Sequence, residues 1–267
     1  MPLADGSLQE ISRAFVAARR EARALPDFPG EIPDGLDQAY AVQDISIAAW
    51  PDRVAGWKIG LVPPPLRARL GAERLSGPIF TGAVWQAGAS PVPFPVFTGG
   101  FAAVEAEFVF RLAADIPADG PALSDGALAE AAGALHIGVE TAGSPLATIN
   151  DLGPSVVVSD FGNNAGLIVG AEVPGWRGMA TETLVTRTLI DGCQVGTGSA
   201  ASIPGGPLAA LRFLVDNLRA RGRGLTAGDL ISTGATTGVH DIRAGSSTRV
   251  EFGRFGHIDA VAVAAGS

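Results

Sequence analysis

The stretch Val104-Glu105-Ala106-Glu107-Phe108-Val109-Phe110 limits the possible folds more than any other part of the chain. Its apolar, β-prone residues predict a strand. Successive side chains of a strand alternate between its two faces, so Glu105 and Glu107 share one face, roughly 6–7 Å apart. Two arrangements can accommodate such a pair. Either this is an edge strand whose glutamate face meets water, or the carboxylates are buried and bind protons or a divalent cation such as Mg²⁺ or Mn²⁺.

The composition is that of a folded acidic protein. Apolar residues make up 47% of the 267 residues and charged residues 17%, which is typical of a globular chain that can bury a core. The net charge of −8 and the pI near 4.9 argue against nucleic acid or an anionic membrane as a partner. The single cysteine, Cys193, excludes an internal disulfide and is predicted to be buried.

Targeting signals are not recognisable in the sequence. The first residues do not combine a basic start with an apolar run, as a signal peptide does. No apolar run approaches the length of a membrane span. A cytoplasmic location is therefore expected.

The order of predicted elements indicates an α+β fold. Residues 1–75 form a small helical part, with helices from Ser7 to about Pro26, over 36–50 and over 63–71, and a strand over 54–60. Residues 76–267 form a β-rich core, and both parts are expected to belong to one structural unit. Helices are predicted over 127–134 and from Pro207 onward, and a loop over 171–180. Strands are predicted over 83–85, 103–112, 134–140, 155–158, 166–169, 184–190, 230–233, 248–252 and 257–263. This irregular order argues against a doubly wound sheet.

Three charged or titratable residues stand out in apolar strands. Lys58 is either a solvent-facing lysine or a fixed ammonium that binds a substrate carboxylate or transfers protons. Glu140 is either a third carboxylate beside Glu105 and Glu107 or a surface residue at a strand end. His136 lies roughly 13 Å from Glu140 along the same strand, so it is interpreted as a packed or supporting residue.

Two polar loops are further candidates. Asp160 and Asn163 follow a predicted strand and either bond to local backbone or support a metal site. Thr233 and Thr236 lie in a glycine-flanked loop that suits either an anion or an ordinary turn. Nucleotide-binding fingerprints and a hydrolase nucleophile elbow are not found: the glycines near Gly196 are not followed by a βαβ unit.

The order and spacing of these motifs resemble the 2-keto-4-pentenoate hydratase family of the fumarylacetoacetate hydrolase superfamily. The resemblance extends from about Leu36 to the C-terminus. The motifs that carry it are Gly56-Trp57-Lys58-Ile59-Gly60, Val104-Glu105-Ala106-Glu107, Gly138-Val139-Glu140, Asp160-Phe161-Gly162-Asn163-Asn164-Ala165-Gly166 and, in the tail, Leu225-Thr226-Ala227-Gly228-Asp229 with Ser232-Thr233-Gly234.

This resemblance implies a β-rich twisted core of the fumarylacetoacetate-hydrolase type, a homo-oligomer, and an enzyme that uses Mg²⁺ or Mn²⁺. It implies Glu105, Glu107 and Glu140 as metal ligands and Lys58 as the active-site lysine. Asp160 is the second expected catalytic residue. The residues expected to bind substrate are Lys58, Asn163, Thr233 and Thr236.

The activity expected from the resemblance is that of a hydro-lyase acting on a 2-oxo or 2-hydroxydienoic acid. Water would add to a 2-hydroxy-2,4-dienoate and give a 4-hydroxy-2-oxo acid. Three alternatives stay open: a decarboxylase of a 2-oxo-dienedioate, a C–C hydrolase of acylpyruvates, and a non-catalytic accessory subunit of a related enzyme.

Overall fold

The computed structural model describes residues 3–266, so the outermost residues of the two predicted parts, 1–75 and 76–267, lie outside the described range. Its helices are α1 (Asp5–Arg20), α2 (Leu36–Ala49), α3 (Pro64–Leu70), α4 (Asp125–Ala132), α5 (Pro154–Ser159) and α6 (Gly206–Ala220). Its strands are β1 (Val54–Leu61), β2 (Arg74–Phe80), β3 (Val84–Gln86), β4 (Val92–Val96), β5 (Phe101–Arg111), β6 (Ala134–Ser144), β7 (Asn164–Glu172), β8 (Val185–Ile190), β9 (Cys193–Ser199), β10 (Leu230–Ser232), β11 (His240–Asp241), β12 (Ser247–Glu251) and β13 (His257–Ala264).

The strands form two sheets. The larger one has the order β2-β1-β10-β5-β6-β7-β3, with β11 added to β5, and the smaller one has the order β4-β13-β12-β8-β9. The α+β class is thereby confirmed. Strand β1, which lies within residues 1–75, pairs with β2 and β10 inside the larger sheet. The division near residue 75 stays a prediction.

Apolar side chains fill two main regions. One cluster draws on both sheets and on α4 and α6, and includes Phe108 of β5 in edge-to-face contact with Phe252, with ring centroids 5.6 Å apart. The second cluster joins α1, α2 and α5. The described helices include none that combines the length and apolar character needed to cross a bilayer.

Local sequence explains several element boundaries. Helix α3 begins with prolines and ends before Gly71, whose φ of 63° closes the helix in the left-handed region. Helix α6 was predicted from its apolar spacing and buries that face, including Leu211, Leu214 and Leu218. Strand β4 reads Val-Pro-Phe-Pro-Val and lies at the edge of the smaller sheet, where prolines are tolerated because edge strands need fewer ladder donors.

Three predictions from the sequence are wrong. Residues 155–158 form helix α5 and not a strand, because Pro154 at the first turn favours a helix and its valines pack against α1 and α2. Helix α1 ends at Arg20, well before Pro26, since Ala22 adopts a φ of 49° and Leu25 turns to pair with Leu146. Cys193 is exposed, because it begins the outer strand of the smaller sheet.

Candidate metal centre

Three glutamates converge on one face of the larger sheet. Strand β5 is central, between β10 and β6, and its register places Glu105 directly opposite Glu140 and Glu107 opposite Gly138. Side chains that pair across antiparallel strands share a face. One carboxylate oxygen from each glutamate lies within 4.8 Å of the others. The edge-strand interpretation of the Glu105–Glu107 pair is therefore wrong, and so is the surface interpretation of Glu140, since β6 continues to Ser144.

The carboxylates are buried and only partly satisfied by hydrogen bonds. Oε2 of Glu107 accepts from the Ser232 hydroxyl at 2.6 Å and from the Gly234 N–H at 2.8 Å. Oε1 of Glu140 accepts from the Asn164 amide at 3.0 Å. The other oxygens, Glu107 Oε1 and Glu140 Oε2, are buried without any hydrogen-bond partner.

Unpartnered buried carboxylate oxygens are costly, and a hard divalent cation is the group that satisfies several of them together. The cluster supplies oxygen ligands only, the donor set that Mg²⁺ and Mn²⁺ prefer. Glu105, Glu107 and Glu140 therefore fit a site for such an ion.

The electrostatics of the cluster agree with this assignment. Burial, reinforced by the charge of Glu140 and opposed by Lys58, raises the pKa of Glu105 to about 7. Burial, together with the charges of Glu140 and Glu105, raises the pKa of Glu107 well above its usual range. Without a cation the cluster thus retains protons near neutral pH, and a bound divalent ion would have to displace them.

Lys58 completes the charged group from strand β1. It is buried, and its Nζ lies 3.2 Å from Oδ1 of Asn163 and 3.3 Å from Oε1 of Glu140. Burial alone would lower the pKa of Lys58, but the charges of the three glutamates outweigh it and raise the pKa. Lys58 is also the single lysine among the 267 residues. Because its side chain is buried, the interpretation of Lys58 as a solvent-facing lysine is wrong.

A cavity of about 520 Å³ opens beside Lys58 and Glu105, a size typical of small-molecule sites. Asn163 and Thr233, two of the predicted substrate-binding residues, line it. Most of the remaining wall is apolar and includes Leu61, Leu75, Val157, Ile203 and Val239. The cavity thus joins one charged end to an apolar body.

Asp160, predicted to be catalytic, and Thr236, predicted to bind substrate, do not line the cavity. Both oxygens of the Asp160 carboxylate accept hydrogen bonds from the Arg19 guanidinium, and one also accepts from the Ser144 hydroxyl, which supports a positioning role for Asp160 in place of a catalytic one. The Thr236 hydroxyl donates to the carbonyl of Ala106 at 2.8 Å and accepts from Thr186, which anchors its loop to β5. His136 packs as expected, with Nδ1 3.1 Å from the Gly170 carbonyl.

Arg19, at the end of α1, was not recognised in the sequence. Its guanidinium donates to the Asp160 carboxylate and to the carbonyls of Gly143 and Asn164. These bonds hold the corner that presents Asn163 to Lys58 and Asn164 to Glu140. A basic residue in the last turn of a helix normally indicates only a favourable helix dipole, so local sequence contains no signal for this role.

The corner itself needs glycine at its closest contact with the sheet. Phe161, Gly162 and Asn163 all have positive φ, between 54° and 65°. Gly77 of β2 passes so close that an added Cβ would lie 2.0 Å from the Phe161 carbonyl oxygen. A side chain at position 77 would displace the corner and, with it, Asn163.

Without metal, the protein is expected to lose stability as the pH rises from about 5 to 8. A glutamate whose pKa moves from 4.5 to about 7 on folding binds more protons in the folded state within that window, so its contribution is present below 4.5 and lost as pH rises through 7. The shift corresponds to an effect on the order of 3 kcal/mol. Melting temperatures in EDTA should fall across this range, and added Mg²⁺ should raise them more at pH 8 than at pH 5.5. A melting temperature in EDTA that stays constant or rises would contradict this account, and Glu105→Gln should flatten the dependence.

Comparison with known proteins gives similarity over most of the chain. No protein-family model matches. A 2-keto-4-pentenoate hydratase of Burkholderia vietnamiensis is 26% identical over 236 residues, which cover 86% of this chain and 88% of that protein. Among solved structures, a 4-oxalocrotonate decarboxylase from Pseudomonas putida G7, complexed with magnesium and adipate, shares the fold with a TM-score of 0.80 at 21% identity, covering 98% of this chain and 99% of that one.

A more distant structure extends the fold relationship. A fumarylpyruvate hydrolase from Pseudomonas aeruginosa, in complex with Mn²⁺ and pyruvate, has a TM-score of 0.57 at 15% identity and covers 80% of this chain and 91% of that one. The fold expected from the sequence, that of the fumarylacetoacetate hydrolase superfamily, is thereby confirmed. The similar proteins are enzymes that include a hydratase, a decarboxylase and a hydrolase.

Proposed function

We propose that the protein is a metal-dependent hydratase that adds water to a 2-hydroxy-2,4-dienoate and forms a 4-hydroxy-2-oxo acid. The observation that carries this proposal is the buried cluster of Glu105, Glu107 and Glu140, with two carboxylate oxygens lacking any donor, beside the Lys58 ammonium at one end of an apolar cavity. The similarity to 2-keto-4-pentenoate hydratases over most of the chain supports the same activity.

The three glutamates would hold Mg²⁺ or Mn²⁺. When bound, such a cation supplies Lewis-acid stabilisation of the negative charge that builds at the substrate's 2-oxygen. The remaining steps are proton transfers and the addition of water. The 2-hydroxyl loses its proton and carbon 5 gains one, which gives a 2-oxo-3-enoate. Water then adds across its double bond, with the hydroxyl on carbon 4 and the proton on carbon 3.

Residues around the cavity can assist these steps. Lys58 would hold the substrate carboxylate or pass a proton at Nζ, and Asn163, whose Oδ1 lies 3.2 Å from that nitrogen, would orient the ammonium. The apolar wall, with Leu75 and Val157 among its residues, limits bulk water around the reacting dienol and strengthens the electrostatic interactions inside.

A decarboxylase of a 2-oxo-dienedioate is the second candidate. Loss of CO₂ from such an acid also leaves negative charge at a 2-oxygen, so the same carboxylate and lysine arrangement suits it. The specific observation in its favour is the fold shared with a 4-oxalocrotonate decarboxylase over 98% of the chain.

The deciding experiment measures turnover by purified protein that has been stripped with EDTA and reloaded with Mg²⁺ or Mn²⁺. Substrates are 2-hydroxypenta-2,4-dienoate, 2-hydroxyhepta-2,4-dienedioate and 2-hydroxyhexa-2,4-dienedioate. We expect metal-dependent loss of the dienol absorbance, a 4-hydroxy-2-oxo acid as product, and no CO₂. Release of CO₂ without hydration would favour the decarboxylase, and no turnover of any substrate with either metal would contradict both candidates.

A further inference from the structure

Arg74 is a buried cation without an acidic partner. It begins strand β2, is 8% exposed, and lines the cavity described above. Its Nη2 donates to the carbonyl of Pro204, while its Nε is buried without a hydrogen-bond partner. Two other arginines of residues 3–266 have side chains that are buried to a similar degree, and both form ion pairs: Arg19 with Asp160 and Arg221 with Asp44.

An unpaired buried guanidinium is unfavourable and does not escape by losing its proton. Burial lowers the pKa of Arg74, partly offset by Glu73 and reinforced by Arg67, yet arginine stays charged at any physiological pH. No carboxylate of residues 3–266 forms an ion pair with it. The charge is therefore available to an anion that enters the cavity.

The position of Arg74 defines the shape of that anion. In the β1–β2 register, Lys58 pairs with Gly77 and Leu61 pairs with Arg74. The two levels are three residues, roughly 10 Å, apart along the strands, so the side chain of Arg74 leaves the face opposite to that of Lys58. The guanidinium reaches the cavity at Pro204, whose carbonyl it contacts and which also lines the cavity. Leu61, Leu75 and Ile203 contribute apolar wall to the same cavity. A matching ligand has a charged group at each end and an apolar chain between them.

We propose that Arg74 binds a second carboxylate at the far end of the substrate, so that this protein acts on dioic members of the 2-hydroxydienoate or 2-oxo acid class. This proposal rests on the proposed function for the end of the substrate that would bind at the metal and Lys58, which we call the head. Binding of the distal carboxylate, which we call the tail, rests on Arg74 alone. The head and the tail can therefore be tested separately.

The test compares binding of 2-oxoadipate and 2-oxohexanoate, which have the same head and chain length but differ in the distal carboxylate. Isothermal titration uses the Mg²⁺-loaded wild type, Arg74→Met, and the control Arg69→Met, which removes an exposed arginine of α3 outside the cavity lining. The wild type and Arg69→Met should bind the dioic acid about 10- to 100-fold more tightly, as expected for one charge-assisted contact. In Arg74→Met this preference should vanish, through weaker binding of 2-oxoadipate, with 2-oxohexanoate changed by no more than about 3-fold.

The melting temperature of Arg74→Met shows whether a loss of binding reflects unfolding of the variant. Replacing an unpaired buried cation by an apolar side chain is expected to leave the melting temperature unchanged or raise it, and Arg74→Lys should retain part of the dioic preference. Equal affinity of the wild type for both acids, or an equal loss for both in Arg74→Met, would overturn the proposal and leave Arg74 as a support for Pro204.

Titration of the wild type with both acids in EDTA distinguishes the contribution of Arg74 to binding from that of the metal. If both acids bind as tightly in EDTA as with Mg²⁺ and the dioic preference persists, the Arg74 subsite stands while the metal-dependent function fails. If the wild type binds neither acid in either condition, both proposals are overturned.

Discussion

Glu107→Gln is expected to lower kcat/KM with Mg²⁺ by more than about 100-fold and to weaken Mg²⁺ binding by a similar factor, since changes to groups that merely support metal ligands already cost 10- to 100-fold. The substitution keeps the shape of the side chain. Its amide oxygen can still accept from the Ser232 hydroxyl and the Gly234 N–H, as Oε2 does now. What disappears is the negative charge on a buried oxygen that has no other partner.

The fold should survive this change. Because burial and neighbouring charges raise the pKa of Glu107, its ionised form is unfavourable in the metal-free protein, and a neutral amide should not lower the melting temperature in EDTA. Glu172→Gln is the matched control, since Glu172 is an exposed glutamate on strand β7 of the same sheet and its substitution should leave both binding and turnover unchanged. Full activity of Glu107→Gln with unaltered Mg²⁺ affinity would remove the metal from the proposed function.

Sequence reasoning is effective where the chemistry is local. The alternation of Glu105 and Glu107 in an apolar strand follows from the two-residue period of β structure, and their separation is a property of the strand itself. Helix α6 was predictable for the same reason, because its apolar spacing matches the helical period. The convergence of Glu140 on this pair depends on the β5–β6 register, which no local pattern encodes.

The missed features are those that tertiary contacts decide. The valines of α5 favour a strand by propensity, but packing against α1 and α2 outweighs a preference that spans only about 1 kcal/mol. Arg19 and Asp160 are 141 residues apart in the chain, so their pairing cannot be recognised from spacing. Arg74 resembles any surface arginine until the fold buries it without an ion-pair partner. The sequence does contain one further signal for the site: Lys58 is the single lysine among the 19 lysine and arginine residues of the chain.

Lys58→Met is expected to lower kcat/KM by about 100- to 10,000-fold, the range of a lost acid–base or carboxylate-anchoring group, while leaving Mg²⁺ affinity unchanged or higher. The two effects separate because Lys58 is a cation among the glutamates and not a ligand: its removal takes away a charge that repels a divalent ion. This combination distinguishes Lys58 from Glu107, whose substitution should weaken metal binding and turnover together.

The single lysine allows a direct measurement. Labelling lysine Nζ with ¹⁵N gives one side-chain signal, from Lys58, and its pH titration should report an ammonium that stays protonated through neutral pH, as the raised pKa of Lys58 requires. Lys58→Arg serves as the charge-retaining comparison: recovery of KM without recovery of kcat would assign proton transfer to the lysine, because arginine binds a carboxylate but does not give up its proton. An unchanged kcat/KM in Lys58→Met would reduce Lys58 to a structural counter-charge for Glu140.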